Sequence, residues 1–277
     1  PNRLLIVVDA CQSRTDIRRI RQYLRLGCMI MITGSKFEQS PPFSGAILIP
    51  SQVTNRLNDI RSINFPRFLK HYVTKYDISG PINKVYSMHF GNWMNFGLML
   101  RWSVGLDNWE KYRRISEEKR NVLIKKWIDY VISEIGNYKR IKLFSGGEYQ
   151  FGSVGDLNTI LSIQLYNNDK LVDMEAAIKV YEYMANDIAQ LINNADFDLD
   201  SNKINLLSKS FILGQPVNIG GFAVLRIALG ARLVSRMADE CYTKELQNDK
   251  ELLEKLDIIL AYMEHNDQDR ISYINEK

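Results

Sequence analysis

The sequence predicts an α/β fold, a mostly parallel sheet covered by helices, followed by a smaller α+β domain. Three observations carry this. Residues 4–8 (Leu-Leu-Ile-Val-Val) form an apolar run bounded by Asp9, the pattern of a buried strand. A helix comes next, with Thr15 as a cap candidate and Gly27 as its stop. Residues 29–33 (Met-Ile-Met-Ile-Thr) form a second buried-strand run after a short joint. Strand, helix, strand with short connections is a βαβ unit, which implies parallel pairing.

Pro41-Pro42 break the chain, and residues 45–49 read as a third strand. Residues 51–93 are less regular. Residues 68–76 suit a helix, and Gly80-Pro81 ends any continuation of it. Residues 94–106 and 108–135 have amphipathic helical spacing, with Trp109, Tyr112, Ile115, Val122, Trp127, Val131 and Ile132 recurring. Strand-like runs at 141–144 and 160–165, a helix over 174–192 after Asp173, a strand over 222–229, and helices over 231–240 and 250–265 complete the pattern. These place a large-domain remnant at 1–105, a linking helix at 106–135 and a small α+β domain at 136–277. No internal repeat or low-complexity tract is visible.

Composition narrows the function classes. The 277 residues are 45% hydrophobic and 25% charged, ordinary globular values with a net charge of +4. That balance argues against nucleic acid or a membrane surface as partner. Three scattered cysteines (Cys11, Cys28 and Cys241) form no CxxC pair and fit a reducing, cytoplasmic setting. His71, His89 and His265 stand apart from them, so no zinc ligand set is expected. No apolar run approaches the roughly 20 residues of a membrane helix. Because the chain opens on a central-strand pattern, an upstream segment or another polypeptide is expected to complete the sheet.

The chemistry concentrates at the ends of the first two strands, where α/β sheets place ligands. Asp9 closes the first run and calls for a cationic partner; Gln12 comes three residues later. The second run ends in Thr33-Gly34-Ser35-Lys36, where two hydroxyls flank a small residue ahead of a lysine. Lysine can form an imine with an aldehyde, and the hydroxyls suit phosphate oxygens.

This pattern resembles the class V aminotransferase and cysteine desulfurase group of fold-type-I pyridoxal-phosphate (PLP) enzymes, which carries Asp-x-x-Gln and then Ser/Thr-x-His-Lys on the next strand. Lys36 lies 27 positions after Asp9, close to the family's spacing. The resemblance implies that Lys36 is the Schiff-base lysine, that Asp9 pairs with the pyridine nitrogen, that Gln12 contacts the ring hydroxyl and that Thr33 binds phosphate. Ser35 stands where the family has histidine. Gly45 resembles the glycine that opens the following strand. Arg226, central in Ala223-Val224-Leu225-Arg226-Ile227-Ala228, resembles the arginine that grips a substrate carboxylate, with Gln215-Pro216 also in the family's pattern. Residues 92–97 are a candidate for a loop reaching a partner's phosphate. Residues 211–214 (Phe-Ile-Leu-Gly) lack the cysteine of a desulfurase.

The resemblance thus implies a PLP-dependent enzyme acting on an amino acid or amine, aminotransferase-like or lyase-like, working as a homodimer or with a chain supplying the N-terminal half. The family's phosphate turn and ring-stacking aromatic would come from that other half. A non-catalytic relative, a scaffold or regulatory subunit, is the alternative reading.

Overall fold

The computed structural model describes residues 4–58, 67–78, 89–144, 159–193, 199–239 and 242–275. The chain divides into two compact units, Pro1–Arg114 with Gly230–Arg232, and Ile115–Leu229 with Leu233–Lys277.

The first unit begins with β1 (Val7–Asp9), α1 (Ile17–Arg25), β2 (Met29–Thr33) and β3 (Gly45–Leu48). Asp16, one residue after the expected Thr15, caps α1 by accepting from Arg18 N. Gly27, at φ 83°, turns the chain out of the helix in a conformation that disfavours a Cβ. β1 and β2 run parallel, pairing Val8 with Ile30 and Asp9 with Met31. β3 runs antiparallel to β2, pairing Ile30 with Leu48 and Thr33 with Gly45. Among the described strands this sheet is therefore mixed rather than mostly parallel. The link between β2 and β3 holds no crossover helix and folds back through Pro41-Pro42, so it can only reverse direction.

Next come α2 (Ser51–Asn58), two short 3-10 turns (Arg67–His71 and Lys75–Asp77, where the sequence suits a continuous helix) and α3 (Phe96–Arg114). The expected break near residue 107 lies instead at Ser116. Ser116 caps α4 (Glu117–Ile135), its side chain accepting from Lys119 N, with Glu117 and Glu118 favourable in the first turn.

The second unit continues with β4 (Ile141–Leu143), β5 (Ile160–Asn167), β6 (Lys170–Leu171), α5 (Met174–Ala185), α6 (Ala189–Asn193), α7 (Ser201–Ser208), β7 (Gly214–Ile219), β8 (Phe222–Ala228), α8 (Ala231–Ala238) and α9 (Tyr242–Asn275). Its sheet has the order β4-β5-β8-β7, with β6 beside β5, and the described pairings are antiparallel. Pro216 lies in the edge strand β7 where the register shifts between Gly214 and Val217, a position that tolerates a missing amide proton. The helix expected over 174–192 ends at Ala185, after which α6 restarts.

Spacing explains the core. Ile124, Trp127, Val131 and Ile135 recur every three to four residues on α4 and are buried. Leu252, Leu253, Leu256, Ile259 and Leu260 do the same on α9, which packs on α4, α5 and β5. Each such side chain contributes roughly 1.5–3 kcal/mol. Lys255 lies fully buried among them. Its ammonium donates to Asn186 O at 2.8 Å and Lys209 O at 2.5 Å, the cap carbonyls of α5 and α7. Burial pulls its pKa down to about 8, against the pull of Asp187.

Candidate functional site

β1 and β2 are parallel neighbours, so the loops after them leave the same edge of the sheet. That register brings the Asp9–Gln12 segment and the Thr33–Lys36 segment together. The backbone ladder continues one step past β1, with Ala10 N donating to Met31 O at 2.9 Å.

Asp9 is exposed, and its Oδ1 accepts from Cys11 N at 3.0 Å, which holds the carboxyl below its usual range. Cys11 is half-buried, and burial together with the Asp9 carboxylate pushes its thiol up. Gln12 is half-buried and its Oε1 is a buried acceptor without a hydrogen-bond partner. Its carbonyl receives Arg14 Nη1 at 3.4 Å.

Ser13 closes this loop onto the next. Its backbone is left-handed (φ 55°), a strained state for a residue with a Cβ. Its amide donates to Ala10 O at 2.8 Å and its hydroxyl to Thr33 O at 2.7 Å.

On the second loop Thr33 Oγ1 lies 2.9 Å from Ser35 Oγ and 3.1 Å from Ser44 O. The carbonyl can only accept, so Thr33 donates there and Ser35 donates to Thr33. Gly34 sits where an added Cβ would meet Ser40 Cβ at 3.3 Å and Ser44 Oγ at 3.4 Å, so the backbone passes close to its own return strand. Lys36 is exposed, and its carbonyl accepts from Gln39 N at 3.2 Å in a tight turn. Phe37 is buried, edge-on to Tyr112 at 5.1 Å, with the Arg14 guanidinium 5.2 Å above its ring. α3 braces the turn: Asn108 Nδ2 donates to Glu38 O at 2.7 Å, and Ser40 Oγ donates to Arg101 O at 2.9 Å.

Glu38, Ser13 and Arg14 do not stand out in the sequence. The Glu38 carboxyl points inward. Burial pushes its pKa up to about 7, although its own backbone amide, the Ser13 hydroxyl and the Arg14 charge all favour the ionised form. Its Oε2 is buried without a hydrogen-bond partner. The available signal is position alone, since Ser13 directly succeeds Gln12 and Glu38 is two residues past Lys36.

In the second unit Arg226 lies on β8, half-buried, opposite Ser162 of β5 and Gly214 of β7. Its Nη2 donates to Gln215 O at 3.1 Å, and burial lowers its pKa. A Cβ at Gly214 would meet Arg226 Cβ at 2.9 Å, so glycine makes room for the guanidinium stem. A cleft of about 560 Å3 in this unit is walled by Trp127, Phe211, Leu229, Met237, Asp249 and Leu252, and none of the expected site residues lines it. Asn95, in the 92–97 candidate loop, accepts from Leu98 N at 3.1 Å and so starts α3. Cys241 lies outside the described residues. Among the described residues no group of His, Cys, Asp and Glu could hold a metal, and no helix is long and apolar enough to cross a membrane.

No protein-family model matches the chain, and no curated protein matches it. Among solved structures, a similar chain is Oryza sativa TDC, crystallised with PLP and tryptamine. It shares 15% identity at a TM-score of 0.39, over 89% of this chain and 45% of that one. The chain therefore spans less than half the length of that neighbour.

Proposed function

We propose that this chain carries part of a PLP-dependent enzyme acting on an amino acid or amine, of the aminotransferase or lyase type and of the class V group. The observation that carries the reading is the meeting of the Asp9–Gln12 and Thr33–Lys36 loops at one edge of a parallel strand pair, tied by Ser13 to Thr33 O. The residues fit the cofactor's donor set. Gln12 presents a buried amide whose Oε1 has no hydrogen-bond partner and would suit the ring hydroxyl. Thr33 and Ser35 set two hydroxyls side by side that would turn from Ser44 O and from each other to donate to a phosphate, and Asp9, held ionised by Cys11 N, would suit a protonated ring nitrogen.

PLP supplies an electron sink for the carbanion left at a substrate Cα. In this reading Lys36 would hold the cofactor through Nζ and would serve as the base at the substrate Cα. Arg226 orients the substrate carboxylate. Val7, Met31 and Ile47 leave apolar surface exposed on the first unit's sheet, which supports a working form covered by a second copy or by a chain supplying further sheet.

Borohydride reduction after incubation with PLP tests this. The expected result is a single modified peptide containing Lys36, lost in Lys36→Ala. Modification spread over surface lysines, or unchanged by Lys36→Ala, removes the proposal. The scaffold reading then gains, because an exposed Asp9 and an exposed Lys36 are also what a non-catalytic relative would show.

A further inference from the structure

We propose that the cleft of the second unit is a binding site for a protonated amine carried on an apolar body, with Asp249 as the group that answers its charge. The cleft shares no residue with the candidate PLP site, and the proposal does not rest on that reading.

The walls come first. At about 560 Å3 the cleft has the size of a small-molecule site. Phe211, Leu213, Ile227, Leu229 and Leu252 give it an apolar wall, and Ile212, 86% exposed, extends that wall to solvent. Beside this wall α9 sets two carboxyl groups one helical turn apart, Glu245 and Asp249, both lining the cleft.

The acidic groups here are answered differently. Glu251 pairs with Lys209 Nζ at 2.7 Å. Glu245 is 4% exposed and pairs with Arg236 Nη2 at 2.6 Å. That pair is a close charge contact, not an aligned hydrogen bond, so Glu245 Oε1 still lacks a directed donor. Asp249 Oδ2 receives the neutral indole N–H of Trp127 at 2.9 Å, and among the described residues no cation pairs with Asp249. A neutral donor satisfies one oxygen but leaves a carboxylate's charge uncompensated. Burial pushes the Asp249 pKa up to about 7, against the Trp127 bond and with the Glu245 charge.

The lining therefore selects by charge. A cation would supply Asp249 with its missing counter-charge while the apolar wall took its body. An anion would be repelled by Glu245 and Asp249, and an uncharged molecule would leave Asp249 as it is. Glu245 Oε1 favours a cation that carries an N–H.

The probe that tests this is N,N-dimethyl-2-phenylethylamine, which is charged, keeps one N–H and cannot form an imine with PLP. Binding to the full chain without cofactor is read from the 15N-indole signal of Trp127, identified by its loss in Trp127→Phe. Failure here leaves the Lys36 reading standing, and failure of PLP trapping at Lys36 leaves this one standing. The Trp127 signal is expected to shift saturably at probe concentrations up to about 10 mM, the range of a small fragment. The uncharged 3-phenylpropan-1-ol should bind about tenfold more weakly or worse, and 3-phenylpropanoate should leave the signal unmoved. Asp249→Asn keeps an acceptor for the Trp127 N–H and removes the charge, so amine affinity should fall about tenfold, to the level of the alcohol. An unmoved Trp127 signal, equal binding of amine and alcohol, or full amine affinity in Asp249→Asn overturns the proposal. If Asp249→Asn does not fold, the wild-type comparison of amine, alcohol and carboxylate decides.

Discussion

The two units bury their apolar residues very differently. In the second, α4, α5 and α9 pack on an antiparallel sheet, and side chains such as Val131, Ile163, Leu225 and Leu253 are fully enclosed. In the first, Ala10, Cys28, Ile30, Phe37, Val53 and Ala231 are the buried apolar residues among those described, while Val7, Met31, Ile47, Phe96, Leu100 and Val104 stay largely exposed. The candidate cofactor residues lie on the thin unit and the folding energy lies in the thick one. The second unit, whose helices pack on its own sheet, gains stability without outside contacts.

The largest expected effect sharpens that contrast. Leu253 is fully buried, and Leu253→Ala is expected to cost about 2–5 kcal/mol by urea unfolding, through lost transfer energy and the cavity left behind. Met31 is 38% exposed, and Met31→Ala is expected to cost less than about 1 kcal/mol. If Met31→Ala costs as much as Leu253→Ala, the outer face of the first sheet is already covered in solution and the comparison fails.

The second prediction concerns how buried polar groups are answered. In the first unit Gln12 Oε1 and Glu38 Oε2 are buried without hydrogen-bond partners. In the second, Lys255 donates to the carbonyls of Asn186 and Lys209. Lys255→Met is expected to cost about 3 kcal/mol, because the ends of α5 and α7 lose their shared donor. A pH signature accompanies it. The folded pKa is about 8 and the ordinary value 10.5, so between those values the unfolded chain binds the extra proton. Stability from this group is therefore lowest below pH 8 and rises with pH up to about 10.5, by at most about 1.4 kcal/mol per unit. Unfolding midpoints measured across that window should rise in wild type relative to Lys255→Met. A parallel course for the two proteins would rule out the buried ammonium as the cause.

Much of this organisation is readable in the residues, for identifiable reasons. Apolar runs fix strand positions, so β2 matches its expected span and β8 falls one residue short of it. Local chemistry fixes caps, and Asp173 accepts from Ala176 N as its position before an apolar helix suggests. The direction of β3 is not readable, because periodicity says where a strand is and not which way it runs; the short Pro41-Pro42 link decides it. α7 escapes notice although Asp200 caps it, since eight residues with two buried leucines give a weak periodic signal. Asp9, Gln12, Thr33 and Lys36 are candidates by strand-end position and by resemblance, and the parallel pairing of β1 and β2 brings their two segments together. Ser13 and Arg14 reach Thr33 and Phe37 between loops 20 or more residues apart, which no local pattern reports.

The smallest effect lies at the seam between the units. α3 belongs to the first and α4 to the second, and the helical pattern alone places their break about nine residues too early. The stop is chemical rather than periodic: Ser116 accepts from Lys119 N at 3.2 Å, while the apolar spacing runs on through it. Ser116→Ala should cost about 1 kcal/mol and Ser116→Gly only a few tenths, because glycine still adopts the cap's non-helical backbone. α4 packs into the second unit's core, so hydrogen exchange of the amides at 117–119 and across the β5–β8 pairing should quicken in Ser116→Ala while exchange in β2 stays unchanged. Equal quickening in β2 would mean that α3 and α4 transmit stability across Ser116 as one rod, and that the two units unfold together despite their unequal cores.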